Sequence, residues 1–283
     1  MRGRLRALVP YVMAAPGVAW LVLFFLVPIL TLAQTSLSRG TFFTGFHFAW
    51  DWRNYLDALT TFDQQFIRSF EYAGMATLIA LAVGYPLAYA IAFRGGRYKT
   101  LLLALVVLPF FTTYLIRTLA WMTILADEGP VVKALKVLHL LPADGRLLAT
   151  TIAVVGGLTY NFLPFMVLPI YVALEKIEPE LVDAARDLYA SSFRAFRRVV
   201  LPLSMPGVFA GSLLTFIPAA GDFINAQLLG TSRQTMIGNV IQSQFLVLLD
   251  YPTAAALSFL LMAAILLAVF VYARLLGTEQ LTG

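Results

Sequence analysis

Residues 148–174 read LATTIAVVGGLTYNFLPFMVLPIYVAL, and residues 175–204, which follow directly, read EKIEPELVDAARDLYASSFRAFRRVVLPLS. The first stretch has no charged side chain over more than the length of one membrane crossing, which takes about 20 apolar residues. The second stretch is hydrophilic, and another apolar run follows it. Together they predict a membrane helix, a segment in water and a second membrane helix.

The composition extends this prediction to the whole chain. Of the 283 residues, 60% are hydrophobic and 12% are charged, and the mean hydropathy is +0.82, far from the values of soluble domains. Helices are expected because the bilayer core offers no water to backbone amides, and the period-two alternation of a membrane barrel is absent. We predict one all-helical integral membrane domain, residues 1–283, with six spans at about 11–33, 69–93, 100–126, 148–174, 206–229 and 253–276.

The distribution of basic residues predicts the orientation, because cytoplasmic connections carry an excess of lysine and arginine. Twelve of the 20 lysines and arginines lie at the chain ends or in the connections after the second and fourth spans; seven lie in the other connections, and Arg117 lies in a span. Both termini and residues 175–204 are therefore expected in the cytoplasm. The net charge of +5 reflects this bias and not nucleic-acid binding. The first apolar run is longer than a secretion signal's and is predicted to be a retained span.

Several chemistries are excluded by residue type. The chain has no cysteine, so disulfides and thiolate sites are ruled out. His47 and His139 stand without a carboxylate at metal-ligand spacing, and no catalytic cluster of His, Ser and carboxylates occurs within the spans. No G-x-x-x-x-G-K-[ST] loop is present. We therefore predict a chain with no catalytic residue, no metal site, no bound cofactor and no ATPase site of its own.

Residues 175–204 have a pattern typical of two short helices. Apolar positions recur at intervals of three and four residues, at Leu181, Ala184, Ala185 and Leu188. Acidic side chains form the polar side, and Pro179 suits a first helical turn. A second helix is predicted over 193–200, with Pro202 ending it.

This segment resembles the E-A-A-x3-G-x9-I-x-L-P loop of the membrane subunits of bacterial ATP-binding-cassette importers. Asp183 stands at the glutamate position and Val199 at the isoleucine position, while the motif is matched at Ala184, Ala185, Leu201 and Pro202. Tyr189 replaces the glycine, which is a departure because glycine lets the chain bend freely between the two helices.

The resemblance implies the type I importer (MetI-like) fold, six membrane helices with a cytoplasmic coupling helix in residues 175–204. It also implies the partners: a homologous second permease subunit, two ATPase subunits that hold ATP and Mg, an extracytoplasmic substrate-binding protein, and the lipid of a bacterial inner membrane. The residues expected to dock on the ATPase are Asp183, Ala184, Ala185, Asp187, Tyr189, Arg194, Arg197, Val199, Leu201 and Pro202. An amphipathic helix held on the anionic inner leaflet by its arginines is the alternative, which the carboxylates of the segment disfavour.

The resemblance covers most of the chain and is nearest to the spermidine/putrescine permeases. The sequences that carry it are LPF (108–110), LIR (115–117), FLPFM (162–166), IPA (217–219), GDF (221–223), MIGNVI (236–241) and QF (244–245). They imply that this chain forms half of a polyamine pathway. A permease for an anion or ferric iron is the alternative, and a secondary transporter is disfavoured because no inverted repeat is visible.

Two charged residues lie inside predicted spans, Arg117 and Asp222. An ionised side chain at mid-membrane costs about 2.5 to 3.5 kcal/mol on insertion scales, so these two are expected to face a wet cavity or each other. Asp222 is predicted to receive an ammonium group of the polyamine. The pathway is completed by the rings of Tyr114, Trp121 and Tyr160, which suit cations, and by Asn161. The alternative places Arg117 on backbone carbonyls or at the membrane surface, or makes it the ligand of an anionic solute.

The connection 38–68 is rich in aromatic residues, and it predicts either a helix on the outer surface or a platform for the substrate-binding protein. A second outer helix is predicted within 129–141. Prolines are expected to break the helices of several spans, at Pro86, Pro109, Pro164, Pro169, Pro206 and Pro218.

Overall fold

The computed structural model describes residues 13–178, 180, 181, 183, 184, 187 and 191–276, except for the side chains of residues 275 and 276. Helices make up most of these residues. In chain order the elements are α1 (Met13–Ser36), β1 (Ser38–Thr41), β2 (Gly45–Phe48), α2 (Arg53–Thr61), α3 (Asp63–Arg94), α4 (Lys99–Val107), α5 (Tyr114–Leu125), α6 (Pro130–Val137), α7 (Thr151–Glu175), α8 (Ser192–Ala220), α9 (Ile224–Leu229), α10 (Ile237–Leu246) and α11 (Tyr251–Leu276).

Five of the described helices are long and apolar enough to cross a membrane, namely α1, α3, α7, α8 and α11. The predicted third span, 100–126, is not a single straight helix. Residues 96–111 and 114–137 meet at a bend of 94°, and counting this pair as one broken span brings the number to six. The break follows a 3₁₀ turn, Leu108–Phe111, that contains Pro109, and Thr112 then adopts an extended conformation. Proline removes one helical N–H donor, which makes this the weakest point of the run.

Most of the prolines do not break their helices, so that part of the sequence prediction is wrong. α3 continues through Pro86, α7 through Pro164 and Pro169, and α8 through Pro206 and Pro218. Neighbouring helices and local adjustments satisfy the freed carbonyls of membrane helices. Residue contacts divide the chain into two compact units, residues 1–63 with 241–262 and residues 64–240 with 263–283.

The second unit is built around the pair α7 and α8, which pack through small residues. A Cβ atom added at Gly207 would lie 2.6 Å from both the Ala173 Cβ and the Pro169 carbonyl oxygen, and one at Gly211 would lie 2.9 Å from the Met166 carbonyl oxygen. Close backbone approach of this kind is how small residues join membrane helices. Met166 and Ile170 are fully buried there.

The first unit contains an antiparallel hairpin where sequence reasoning allowed for a surface helix. Strands β1 and β2 pair with Arg39 opposite His47 and Ser38 opposite Phe48. A hydrogen bond from the Arg39 guanidinium lowers the pKa of the Asp51 carboxyl. The helix expected within 129–141 is present as α6.

Candidate functional site

One face of α5 carries Tyr114, the adjacent pair Arg117 and Thr118, and Trp121, and both members of the pair lie three or four residues from Tyr114 and from Trp121. Side chains at these intervals lie side by side on a helix. Tyr114 is the first residue of α5, directly after the 94° bend. Arg117 and Thr118 are buried, so the broken third span turns a polar face into the interior of the second unit.

The Asp222 carboxylate is held by the protein itself. The Tyr114 hydroxyl donates to its Oδ2 over 2.5 Å, and the Asn225 backbone N–H and side-chain amide donate to its Oδ1 over 2.8 and 3.3 Å. The Asn225 amide also donates to the Tyr114 hydroxyl oxygen over 2.5 Å. Burying a carboxylate is costly unless it is hydrogen-bonded, and these bonds account for a residue that is only 8% exposed. Asp222 thereby stabilises the turn between α8 and α9, where the predicted fifth span, 206–229, is interrupted.

Asn161, in the middle of α7, connects this turn to α5. Its amide donates to the Asn225 Oδ1 over 3.2 Å and to the Thr118 Oγ1 over 3.3 Å, while its own Oδ1 is buried without a partner among the described residues. We call Tyr114, Thr118, Asn161, Asp222 and Asn225 the polar network. It joins α5, α7 and α9 at a buried point.

Arg117 lies beside the polar network but outside it. The guanidinium carbon lies 5.0 Å from the centre of the Phe110 ring and 5.6 Å from that of the Tyr114 ring. Its Nε and Nη1 atoms are buried and have no hydrogen-bond partner in the described part of the chain. Arg117 and Asp222 form no ion pair within the described residues, so the two membrane charges do not neutralise each other in this state.

Removing the Tyr114 hydroxyl tests the polar network. Tyr114→Phe leaves the Asp222 Oδ2 without its donor and one of the two N–H bonds of the Asn225 amide without its acceptor, while the other still reaches the Asp222 Oδ1. An unpaired buried polar group costs about 1–3 kcal/mol, so we expect the variant to unfold at a clearly lower temperature in detergent. Tyr160→Phe is the matched control and should unfold like the parent chain. Equal stability of the two variants would show that the network contributes little.

Trp121 and Tyr160 lie in a different place from the polar network. Their rings meet edge to face, with centroids 5.3 Å apart. Both line an open cavity of about 440 Å³ between α3, α5 and α7, together with Met75, Ile79, Val155 and Leu163. None of the described residues that line it is charged. The predicted pathway residues therefore fall into two groups, a polar one at Tyr114, Asn161 and Asp222 and an apolar one at Trp121 and Tyr160.

Two members of the polar network, Thr118 and Asn225, were missed by sequence reasoning. Asn225 follows Asp222 by three residues, and that spacing lets an aspartate accept a hydrogen bond from a backbone N–H ahead of it. This D-x-x-N pattern inside an apolar run was the available signal. Thr118 carried no signal of its own, since threonine is common in membrane helices. No group of three His, Asp or Glu side chains that could hold a metal occurs among the described residues.

The segment predicted to dock on an ATPase is only partly described. Glu180, Leu181, Asp183, Ala184 and Asp187 are helical and exposed, whereas Ala185 and Tyr189 lie outside the described residues. Ser191 begins the next helix, where its hydroxyl accepts a hydrogen bond from the Arg194 N–H over 3.3 Å. Arg194 and Arg197 are exposed on that helix.

The prediction that Pro202 ends this second helix is wrong. The helix runs from Ser192 through Pro202 to Ala220, with one π turn at Phe196–Val200. A wider π turn accommodates the missing N–H and the ring of a proline that follows it. Val199, Leu201 and Pro202 are thus the first turns of a membrane helix and not part of a separate knob.

Contacts on both sides join this segment to the spans. The Phe196 ring meets Tyr85 and Tyr89 of α3 edge to face, at 5.9 and 5.8 Å. The Tyr85 hydroxyl and Ser204 share a hydrogen bond of 2.7 Å. At the other side Lys99 donates to both oxygens of Glu175 over 2.9 and 3.0 Å, which ties the start of α4 to the end of α7. These contacts connect the two ends of the segment, at Glu175 and Phe196, to α3, α4, α7 and α8.

Membrane-length apolar helices, a break in the third span and exposed helical residues between α7 and α8 are the features expected of a membrane-embedded permease subunit. Residues 81–277 match the inner membrane components of binding-protein-dependent transport systems, and the chain belongs to this family. It is a permease subunit of an ATP-binding-cassette importer, as the 175–204 motif predicted.

Individual relatives are similar over nearly the whole chain. The spermidine/putrescine transport system permease protein PotB of Haemophilus influenzae is 42% identical over 259 residues, 90% of each protein. The protein of the same name from Escherichia coli is 39% identical over 260 residues, 91% of this chain and 94% of that one. A bacterial ABC transporter that imports the acidic polysaccharide alginate shares the fold, with a TM-score of 0.69 over 97% of this chain and 96% of that one at 19% identity. The predicted type I importer fold is confirmed.

Proposed function

We propose that this chain forms half of the membrane pathway for polyamines such as spermidine and putrescine. The observation that carries the proposal is its 42% identity to a spermidine/putrescine permease over 90% of both chains. A flexible polycation needs several weak sites, which carboxylate, amide and hydroxyl oxygens and ring faces provide. Asp222 with Tyr114, the Asn161 Oδ1, which has no partner among the described residues, and the Trp121–Tyr160 pair are groups of those types inside the second unit. Their use by a polyamine requires the Tyr114 hydroxyl to release Asp222.

In the same proposal the chain works with a homologous second permease subunit, two ATPase subunits that hold ATP and Mg, and an extracytoplasmic binding protein. The chain itself binds no nucleotide. Both termini and residues 180–187 face the cytoplasm, where the exposed helical residues Asp183 and Ala184 seat in a groove of the ATPase. The absence of a P-loop in the sequence and the contacts of Phe196 and Glu175 with the spans support this arrangement.

A small anionic solute is the second candidate substrate, and Arg117 is the observation that favours it. Two of its guanidinium nitrogens are buried and have no partner in the part of the chain that the structure describes, and guanidinium groups bind carboxylate, phosphate and similar anions well. The same cation would repel a polyamine that came close to it.

Competition during uptake separates the two candidates. The complex is reconstituted with its binding protein, and uptake of labelled putrescine is measured with an excess of spermidine, putrescine, sulfate or ferric ion. We expect spermidine and putrescine to compete and to stimulate ATP hydrolysis, and sulfate and ferric ion to have no effect. Polyamines that neither compete nor stimulate hydrolysis would refute the substrate proposal.

The contacts of Phe196 provide a test of force transmission. Phe196→Ala removes the ring that lies against Tyr85 and Tyr89, so we expect ATP hydrolysis to continue while uptake falls several-fold. Phe193→Ala is the matched control, because Phe193 is 71% exposed and should leave uptake unchanged. Normal uptake by the Phe196 variant, at normal abundance in the membrane, would remove this residue from the coupling route.

A further inference from the structure

The hairpin β1–β2 in the first unit has two different faces. In a strand, successive side chains point to opposite faces. Phe46 and Phe48 of β2 therefore share one face, and His47 shares the other with Arg39, the residue with which it pairs. One side of the hairpin is aromatic and the other is polar and basic.

Aromatic rings continue from the hairpin into α2 and remain largely uncovered. Ring centroids lie 4.9 Å apart for Phe48 and Trp50, 6.4 Å for Trp50 and Trp52, and 5.8 Å for Trp52 and Tyr55. Trp50 is still 64% exposed and Trp52 60% exposed, and Phe43 at the tip of the turn is 95% exposed. Exposed apolar surface of this extent marks a contact with a membrane or another molecule.

Hydrogen bonds fasten the base of the hairpin to the end of α1. The N–H groups of Ala49 and Asp51 donate to the Leu37 carbonyl over 3.2 and 3.0 Å. The Asn54 amide donates to the carbonyls of Ser36 and Ser38 over 2.9 and 3.0 Å. α1 is a membrane-length helix that ends at Ser36, so the hairpin begins where the hydrocarbon core ends.

Simple lengths then place the base of the hairpin beside the lipid headgroups. A four-residue strand extends about 14 Å. The headgroup layer on each side of the hydrocarbon core is roughly 5–8 Å thick. The base of a hairpin fastened at the edge of the core therefore lies beside that layer, while an upright tip extends beyond it. Tryptophan rings, which are apolar with one polar N–H, concentrate there.

We propose that the aromatic side of the hairpin's base binds the lipid interface and anchors the end of α1. The binding surface consists of Phe48, Trp50 and Trp52, with Arg39 and His47 turned to headgroups and water. The occupant is lipid and not the substrate-binding protein, because the fastening to Ser36, Leu37 and Ser38 sets the height of the hairpin at the membrane. This inference does not depend on which solute is transported.

Spin labels measure the depth of the hairpin directly. The chain has no cysteine, so a single Phe48→Cys variant of the full complex in lipid nanodiscs is labelled against an unmodified blank. The ratio of collisions with oxygen to collisions with a water-soluble nickel chelate reports lipid contact. Leu23→Cys, on the 60% exposed Leu23 of α1, calibrates the lipid value, and His47→Cys is the matched control, one residue away on the polar face. We expect a several-fold higher ratio at 48 than at 47.

Native fluorescence gives a second measurement on an unaltered fold. Lipids brominated near the headgroups should quench a part of the emission that disappears in the Trp50→Phe/Trp52→Phe variant. Nickel access at 48 equal to that at 47, or no bromolipid quenching of these tryptophans, would overturn the proposal. So would a label shielded only when the binding protein is added, since the hairpin would then be a platform for that protein. If Phe48→Cys fails to accumulate, the difference in quenching between the unmodified complex and the Trp50→Phe/Trp52→Phe variant decides.

Discussion

Uptake by the reconstituted complex is expected to fall at least about tenfold when Asp183 is replaced by arginine. A tenfold loss requires the interaction with the ATPase to weaken by only about 1.4 kcal/mol. Asp183 is helical and exposed in the segment between α7 and α8. Reversing its charge inside a charge-matched interface costs several kcal/mol. Because the residue lies outside the spans, the chain should still insert normally. ATP hydrolysis should continue without transport.

The matched control is Glu128→Arg, which makes the same change of charge elsewhere. The Glu128 side chain is 92% exposed and pairs with Lys133, and exposed pairs of this kind contribute little. Uptake of labelled putrescine and phosphate release are measured in the same proteoliposomes. Normal uptake by the Asp183 variant would contradict the proposed ATPase docking. A parallel loss of both activities would point to failed assembly instead.

Replacing Gly207 with leucine is expected to prevent α7 and α8 from packing. The first carbon of the new side chain would lie 2.6 Å from the Ala173 Cβ and 2.6 Å from the Pro169 carbonyl oxygen, separations that real contacts do not show. Overpacking usually costs about 1–3 kcal/mol, and here the obstacle is partly backbone, so we expect a loss beyond that range. The gain of about 1 kcal/mol in helix propensity does not offset it.

Gly74→Leu in α3 is the control for this substitution, because a Cβ there would have nothing within 4 Å. We expect the Gly207 variant to be recovered poorly in the membrane and to unfold at a much lower temperature in detergent. The Gly74 variant should accumulate like the parent chain. Equal recovery and equal unfolding temperatures would show that α7 and α8 separate without much cost.

The site was predictable only in part, for a reason that Arg117 and Asp222 illustrate. The cost of a charge in the membrane identified both residues. Whether they meet depends on the angle between two segments of the chain. The periodicity of the apolar residues gave no sign of the 94° bend at the start of α5. Asp222 is satisfied by Tyr114 and Asn225, while Arg117 stacks on rings. A single amide side chain such as Asn225 carries no charge, so the cost of a charge in the membrane could not identify it.

The break in the third span shows that the fold, too, was predictable only in part. Pro86, Pro109 and Pro164 look alike in the sequence, yet only Pro109 coincides with a broken helix in the described residues. A proline weakens a helix by removing one hydrogen bond. Whether the chain bends there depends on the neighbouring helices that satisfy the freed carbonyl, and those are set by long-range packing.

Hydropathy, basic-residue bias and the 175–204 motif were enough for the class of protein, the helical fold and the position of the exposed segment between α7 and α8. These properties follow from local composition, because burial in a bilayer is a transfer of each residue from water to lipid and needs no partner residue. The polar network, the π turn before Pro202 and the hairpin fastened to α1 emerged only in three dimensions. The polar network depends on hydrogen bonds between residues far apart in the chain, which form only when the helices have packed. The π turn and the hairpin are local, but no pattern in the sequence indicated them.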